Sequence, residues 1–518
     1  MKRKYILFLL SLITLSFVIV SCRKDLSTMD VNKIPGIEID TTGNGQLNVY
    51  QFDRLKLEPV LEMGGVKEAD LSYSWKINHI PGDTAFFLLS NTRNLDEEIK
   101  LKPNTAGKFH NLLYTVTDNK NGLDYTMTWH LTVLNNIGEG LVVAETTEDG
   151  QSDLSHIMSP RVTSNYTGES VKRHVYSTLN GNTIDGKIKQ IRFATIFGVQ
   201  ALLAITDNSI VRINTLDYTF GGKNDDLFYG GSDEYHSQAL AEAYQANIYI
   251  ANNKLTATYL GANKQFSLPV DSRFVVPDIV ALNPFSANSD HLDDYTPPVV
   301  LNYYEEVEGH FVYQPTFSTF GDRVMHKAPD APAAAFDPAN MPGFENLGAG
   351  ITVDRGFLHV LRNKSTGKIN MYLFDGGVDD YPYIIAPAPR AVHDLSAAPE
   401  IANAVSFLVL DDQKVVYYAT DTKIYAILYS TSTPVFELRY TVPAGEKITT
   451  LDIYRQVGYP YMSSYIATNN RQLVMSTYGT EGKVYLLPMI NPGLGNIDNA
   501  NIKTFGGFGR ITAIAPQK

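Results

Sequence analysis

Cysteine is almost absent from this chain: Cys22 is the only one in 518 residues. No disulfide can form within the chain, so stability has to come from buried area and backbone pairing, for which this length is ample. Tryptophan is nearly as scarce, with Trp75 and Trp129 alone. After residue 20 no apolar run approaches the length of a membrane-spanning helix, and no long stretch repeats apolar residues at i, i+3, i+4 and i+7. The fixed-spacing signatures of catalysis are missing too. There is no His-Glu-x-x-His, no Gly-x-Ser-x-Gly elbow, no P-loop, and no Gly-x-Gly-x-x-Gly after a strand. The 11 histidines are scattered singly, without metal-ligand spacing, and Gly506-Gly507-Phe508-Gly509 reads as a turn before a terminal strand. Neither a metal nor a cofactor is expected.

What is present begins with the N-terminus. Lys2-Arg3-Lys4, the apolar run 5–20 and the small residue Ser21 have the order of a secretory signal. Ile19-Val20-Ser21-Cys22 resembles a bacterial lipobox, which implies cleavage after residue 21 and lipid attachment at Cys22. Residues 22–35 are polar and aperiodic, as a tether would be, and Lys24-Asp25 resembles the charged export signal of Bacteroidetes lipoproteins. Loss of Lys2, Arg3 and Lys4 reduces 43 Lys and Arg to 40, against 55 Asp and Glu, a formal charge of −15. That excess of acid excludes nucleic acid and anionic lipid as expected partners, because both demand a basic patch. Membrane contact is expected through the acyl chains alone.

The body of the chain reads as all-β, from its 31 Tyr and 24 Phe and its short Val/Ile/Leu/Tyr runs broken by Asn, Asp, Gly and Thr. In residues 36–136, short strand patterns include Leu71-Ser72-Tyr73-Ser74-Trp75-Lys76-Ile77, Leu112-Leu113-Tyr114-Thr115-Val116-Thr117-Asp118 and 125–133. A strand tryptophan, a Tyr-x-Val-x-Asp strand, a turn at 119–122 and a closing strand resemble a PKD-like or immunoglobulin-like sandwich. Trp75 is then the core tryptophan, with Tyr114 and Val116 facing it or its neighbours by the period of two.

Residues 138–518 carry a repeat: an apolar strand, a polar turn and a second apolar strand. Copies start at 141, 202, 248, 357, 415 and 473, with a blurred one at 310. Their spacing suits four-stranded blades with variable loops, so a β-propeller of about seven blades is expected. The strand 510–515 has no following partner, and is expected to pair with 141–144 and close the ring. An open array of sandwiches is the alternative.

No chemistry stands out in the loops. The acidic groups 225–226 with 233–234, 291–294, 305–308 and 375–380 fit no calcium-loop frame, and no catalytic pair is identified. Two carboxylates at suitable separation could hydrolyse a glycoside, but sequence does not give the separation. The aromatic candidates for a ligand are Tyr381 and Tyr383 in Asp380-Tyr381-Pro382-Tyr383, and Tyr459 and Tyr461 in Gly458-Tyr459-Pro460-Tyr461.

Taken together, the lipobox, the Ser-Tyr-Ser-Trp strand and Gly140-Leu141-Val142-Val143-Ala144-Glu145 with Asp153-Leu154-Ser155-His156-Ile157 resemble the PKD-like family lipoproteins of Bacteroidetes. The resemblance implies a surface-exposed outer-membrane lipoprotein, a non-enzymatic accessory of a SusC/SusD-type transporter that helps take up a glycan or peptide. A propeller-based glycan hydrolase or lyase, and a cell-envelope adhesin, are the alternatives.

Overall fold

The computed structural model describes residues 36–518, except 41–45, 106, 197–198, 232–233, 244–245, 259–265, 286–297, 318–320 and 381. Residues 1–21, expected to be a signal, Cys22, the expected tether 22–35 and Tyr381 lie outside the described residues. Among the described residues no helix is long and apolar enough to cross a membrane. The chain forms two compact units, the first built from residues up to Val133, the second from Leu134–Lys518 with the short pieces Tyr50–Phe52 and Lys100–Pro103.

The first unit centres on a five-stranded antiparallel sheet in the order Leu47–Tyr50, Leu123–Leu134, His110–Asp118, Leu71–Asn78, Phe86–Ser90. Strict alternation dictates its buried face: in His110–Asp118 every second residue, from His110 through Leu112, Tyr114 and Val116 to Asp118, is buried. Trp75 lies opposite Tyr114 in the register and stacks on it at 4.2 Å, with Trp129 at 5.7 Å from Trp75. Its indole Nε1 donates to the Thr92 carbonyl at 3.0 Å, so the ring is buried without an orphaned donor. Two small antiparallel pairings between strands distant in sequence, Glu38–Asp40 with Val60–Glu62 and Arg54–Leu57 with Leu95–Glu98, complete the unit.

The second unit is a propeller-like succession of antiparallel sheets. Sheet one contains Gly140–Thr146, Ser152–Met158 and Ser170–Lys172, together with the C-terminal Arg510–Gln517. Sheet two runs through Gln190–Ile196, Val199–Thr206, Ser209–Asn214 and Phe220–Lys223; sheet three has Ser237–Ala243, Ala246–Ala251 and Lys254–Thr258. Sheet four comprises Ala281–Leu282, Leu301–Glu305, His310–Gln314 and His326–Lys327. Sheet five comprises Phe344–Ile351, Phe357–Asn363, Ile369–Phe374 and Pro389–Asp394. Sheet six holds Ser406–Val409, Val415–Ala419, Lys423–Leu428 and Val435–Thr441; sheet seven holds Lys447–Ile453, Gln472–Tyr478, Gly482–Ile490 and Lys503–Phe508.

The unbroken apolar runs of the sequence are the middle strands, which are covered on both faces. In Val415–Ala419 all five residues are buried: Val415, Tyr417 and Ala419 join a cluster with sheet seven, and Val416 and Tyr418 join one with sheet five. Equivalent clusters join sheets one and two, two and three, three and four, and four and five, and a further one joins seven to one. Within sheet one Arg510–Gln517 pairs antiparallel with Gly140–Thr146, with Val142 opposite Ala515 and Val143 opposite Ile514.

The repeat start at 310 needs correction. His310–Gln314 is the third strand of its sheet, and Leu301–Glu305 takes the place that 248 and 357 hold in theirs. Its Asn302 and Glu305 are buried polar residues, bonded to His359 and paired with His310, and they blur the apolar pattern. In sheets two to seven the first strand pairs on one side only. On sheet three, Lys189 Nζ and Arg192 Nε donate to the carbonyls of Ser237 and Leu240, and Gln190 Oε1 accepts from Leu240 N–H. Backbone groups left outside the ladder are satisfied by side chains of the preceding sheet.

Candidate functional site

Connections from first to second strand in sheets four to seven leave at the same end of the unit, and their side chains converge. Phe285 follows Ala281–Leu282; Arg355 occupies the turn between Phe344–Ile351 and Phe357–Asn363; Asp411 and Asp412 occupy the turn after Ser406–Val409; Arg455, Tyr459 and Arg471 belong to the segment between Lys447–Ile453 and Gln472–Tyr478. The Arg355 guanidinium carbon lies 3.2 Å from the Phe285 ring centroid. Arg455 Nη2 pairs with Asp411 Oδ2 at 3.0 Å, where Asp411 is 6% exposed, and Arg455 Nε donates to Asn470 Oδ1 at 3.2 Å. Arg471 Nη1 pairs with Asp412 and donates to the Asn470 carbonyl at 2.8 Å. Tyr459 stands edge-on to Phe285 at 6.1 Å and donates its hydroxyl to Asp411 Oδ1 at 3.4 Å.

Electrostatics follow from this packing. Burial holds Arg355 below its ordinary value against the opposing pull of Asp411, Tyr459 and Asp412, yet a guanidinium stays charged at neutral pH. For Arg455 burial acts in the same direction, but Asp411 and Asp452 reverse it and the proton is held more tightly than usual. The Tyr459 hydroxyl is pushed up to about 12, by burial and then by Asp411, and stays neutral. The long segment is fixed from behind: Gln456 Nε2 donates to Glu139 and to Ser164 Oγ, and Tyr454 donates to the Val162 carbonyl at 3.1 Å.

The sequence-derived aromatic candidates separate here. Tyr459 is part of the cluster wall, half-buried; Tyr461, two residues on, is 48% exposed. Tyr383 is 74% exposed, on a hairpin of Val378–Asp380 with Tyr383–Ile385. That hairpin starts beside the cluster, because Gly376 lies so close to the Arg355 carbonyl that a Cβ there would come within 2.6 Å. Of the acidic groups, Asp375 accepts from Gly377 and Ala388 N–H and shapes the hairpin base, Glu306 pairs with Lys364, and Glu305 pairs with His310. Asp379 differs: burial raises it above the usual carboxylate range, a hydrogen bond from Thr316 opposes this, and Asp322 and Asp380 add to it. Among the described residues no group of three or more His, Asp or Glu is placed to hold a metal ion.

Phe285, Arg355, Asp411, Asp412, Arg455 and Arg471 were not singled out from the sequence. Their one shared signal is position, since each follows the first strand of its sheet, and those strands are the poorly patterned ones.

No curated protein matches the chain. Among solved structures it is similar to a quinonprotein alcohol dehydrogenase-like protein from Bacteroides thetaiotaomicron, at 11% identity over 93% of this chain and 98% of that one, with a TM-score of 0.46. Apo AztD from Citrobacter koseri is similar at 11% identity over 86% of this chain and 98% of that one, with a TM-score of 0.35. Residues 24–187, which hold the Trp75 sheet and the first three strands of sheet one in chain order, match the model of the PKD-like family.

Proposed function

We propose that this is an exported lipoprotein, acylated at Cys22, exposed at the outer membrane, that binds its ligand without transforming it and serves a SusC/SusD-type system taking up glycan or peptide. In this reading the second unit is a closed seven-bladed propeller. Seven sheets whose clusters run from each to the next and from the last to the first support closure, as does the pairing of Arg510–Gln517 with Gly140–Thr146. The PKD-like match and the lipobox-like Ile19-Val20-Ser21-Cys22 support the anchored, exported character.

The observation that carries the binding role is the cluster itself. Aromatic rings and guanidinium groups from sheets four, five and seven meet two aspartates of sheet six at one loop end, and both aspartates are tied to arginines. Carboxylates held in that way position cations; they are poor proton carriers. Retention on immobilised oligosaccharides or peptides, or co-purification with a SusC/SusD-type pair, is expected; failure of both removes the proposal. A hydrolase or lyase reading is favoured by Asp379 alone, whose raised pKa suits a general acid. Turnover of a glycan that Asp379→Asn abolishes would establish it.

A further inference from the structure

We propose that Arg355 anchors a carboxylate-binding site at the loop end of sheets four to seven, so that the ligand is an acid: a uronate-bearing sugar or a peptide with a free C-terminus. This rests on the binding role proposed above and names the chemistry of that site.

The three guanidinium groups of the cluster are not equivalent. Arg455 and Arg471 are each paired with an aspartate. Arg355 has no carboxylate within ion-pair distance among the described residues, and its buried Nε and Nη1 have no hydrogen-bond partner there. Leaving a charged donor buried and unsatisfied is costly, more than for a neutral group, and such an arrangement marks a place where an acceptor is gained.

The backbone points the same way. Arg355 sits at φ 62°, a left-handed conformation that a long side chain adopts at a cost, inside a turn closed by Arg355 N–H to the Thr352 carbonyl at 3.0 Å and Thr352 N–H to Gly356 at 2.9 Å. A glycine or asparagine would fill that turn without strain.

Geometry and charge select the ligand class. Held over the Phe285 ring, the guanidinium keeps a planar fork of N–H donors that a planar carboxylate matches with two parallel hydrogen bonds. Asp411 and Asp412 are taken up by Arg455 and Arg471, so Arg355 is the cation of the cluster without an ion-pair partner among the described residues, and one carboxylate suffices to pair it. The chain carries a net charge of −12, so attraction of an acid has to be local. Exposed Tyr383 and Tyr461 on the adjoining loops offer rings for the rest of the ligand, whether sugar or peptide.

Isothermal titration of the protein with an oligogalacturonate and its methyl ester, and with a tetrapeptide and its C-terminal amide, tests this. One acid should bind saturably, with its neutral derivative at least tenfold weaker, and which acid binds identifies the source of the carboxylate. Arg355→Gln should lose tenfold or more, and Arg355→Lys, which keeps the charge without the planar fork, should fall between. If Arg355→Gln does not fold, Arg355→Lys carries the comparison. Equal binding of acid and neutral derivative, or unchanged binding by a folded Arg355→Gln, overturns the carboxylate assignment and leaves the binding role standing. No binding of any of the four probes overturns the assignment, and, with no retention on the wider immobilised sets, the binding role falls as well.

Discussion

Two kinds of residue decide how the second unit responds to substitution and to acid. Asp411 is nearly closed to solvent and holds Arg455, so Asp411→Ala strands the Arg455 guanidinium. Removing one partner of a fully buried pair costs about 3–5 kcal/mol; Arg455 is 34% exposed, which reduces the expected loss to about 2–3 kcal/mol, measurable by urea unfolding. His156 and His359 are the second kind. Each is buried, His156 against the Tyr218 hydroxyl at 2.7 Å and His359 against Asn302, and burial lowers each to about 3. In the unfolded chain both titrate near 6.5, so between about 6.5 and 3 the unfolded state binds protons that the native state refuses. Stability is retained above about pH 6.5 and is lost as pH falls through that window, by about 2 kcal/mol per histidine between pH 7 and 5. A melting temperature that does not fall over that range would contradict the assignment, and His359→Gln should flatten the slope.

At the scale of the strand, legibility depended on how many faces are covered. Middle strands such as Leu473-Val474-Met475 are buried on both sides, and their uninterrupted apolar character made the repeat visible. First and fourth strands alternate or face water, as Val435–Thr441 does, and carry little signal. Buried polar residues hid one middle strand, Leu301–Glu305, and displaced the reading of that repeat by one strand. Tight strand starts impose a further demand. At Gly482, opposite Phe508, a Cβ would lie 1.9 Å from the Gly509 carbonyl, so Gly482→Ala must push the last strand of sheet seven outward. A loss of about 1–3 kcal/mol is expected by thermal or urea unfolding, with an unchanged value arguing against the close approach.

For the whole molecule, the decisive contact is between chain ends of the second unit. Deleting residues 510–518 removes Ile511, Ala513 and Ala515 from two clusters and leaves Gly140–Thr146 with a bare apolar edge. Both tryptophans belong to the first unit, so its unfolding is read by tryptophan fluorescence and that of the second by far-ultraviolet circular dichroism. The truncated chain should keep the fluorescence transition and lose the cooperative dichroism transition, with aggregation. Retention of a cooperative dichroism transition would show that the terminal strand is dispensable.

The sequence by itself determined the strand content, the Trp75 sheet and the existence of a repeat, because a period of two and two-sided burial are written locally, in adjacent residues. It marked Tyr459 as belonging to a loop of interest, though not that the ring stands against Phe285. Only the tertiary structure decided that Phe285, Arg355, Asp411 and Arg455 share one site. They come from four different repeats, each in a turn with no periodicity of its own, and they meet because stacking of the sheets brings those turns to one end.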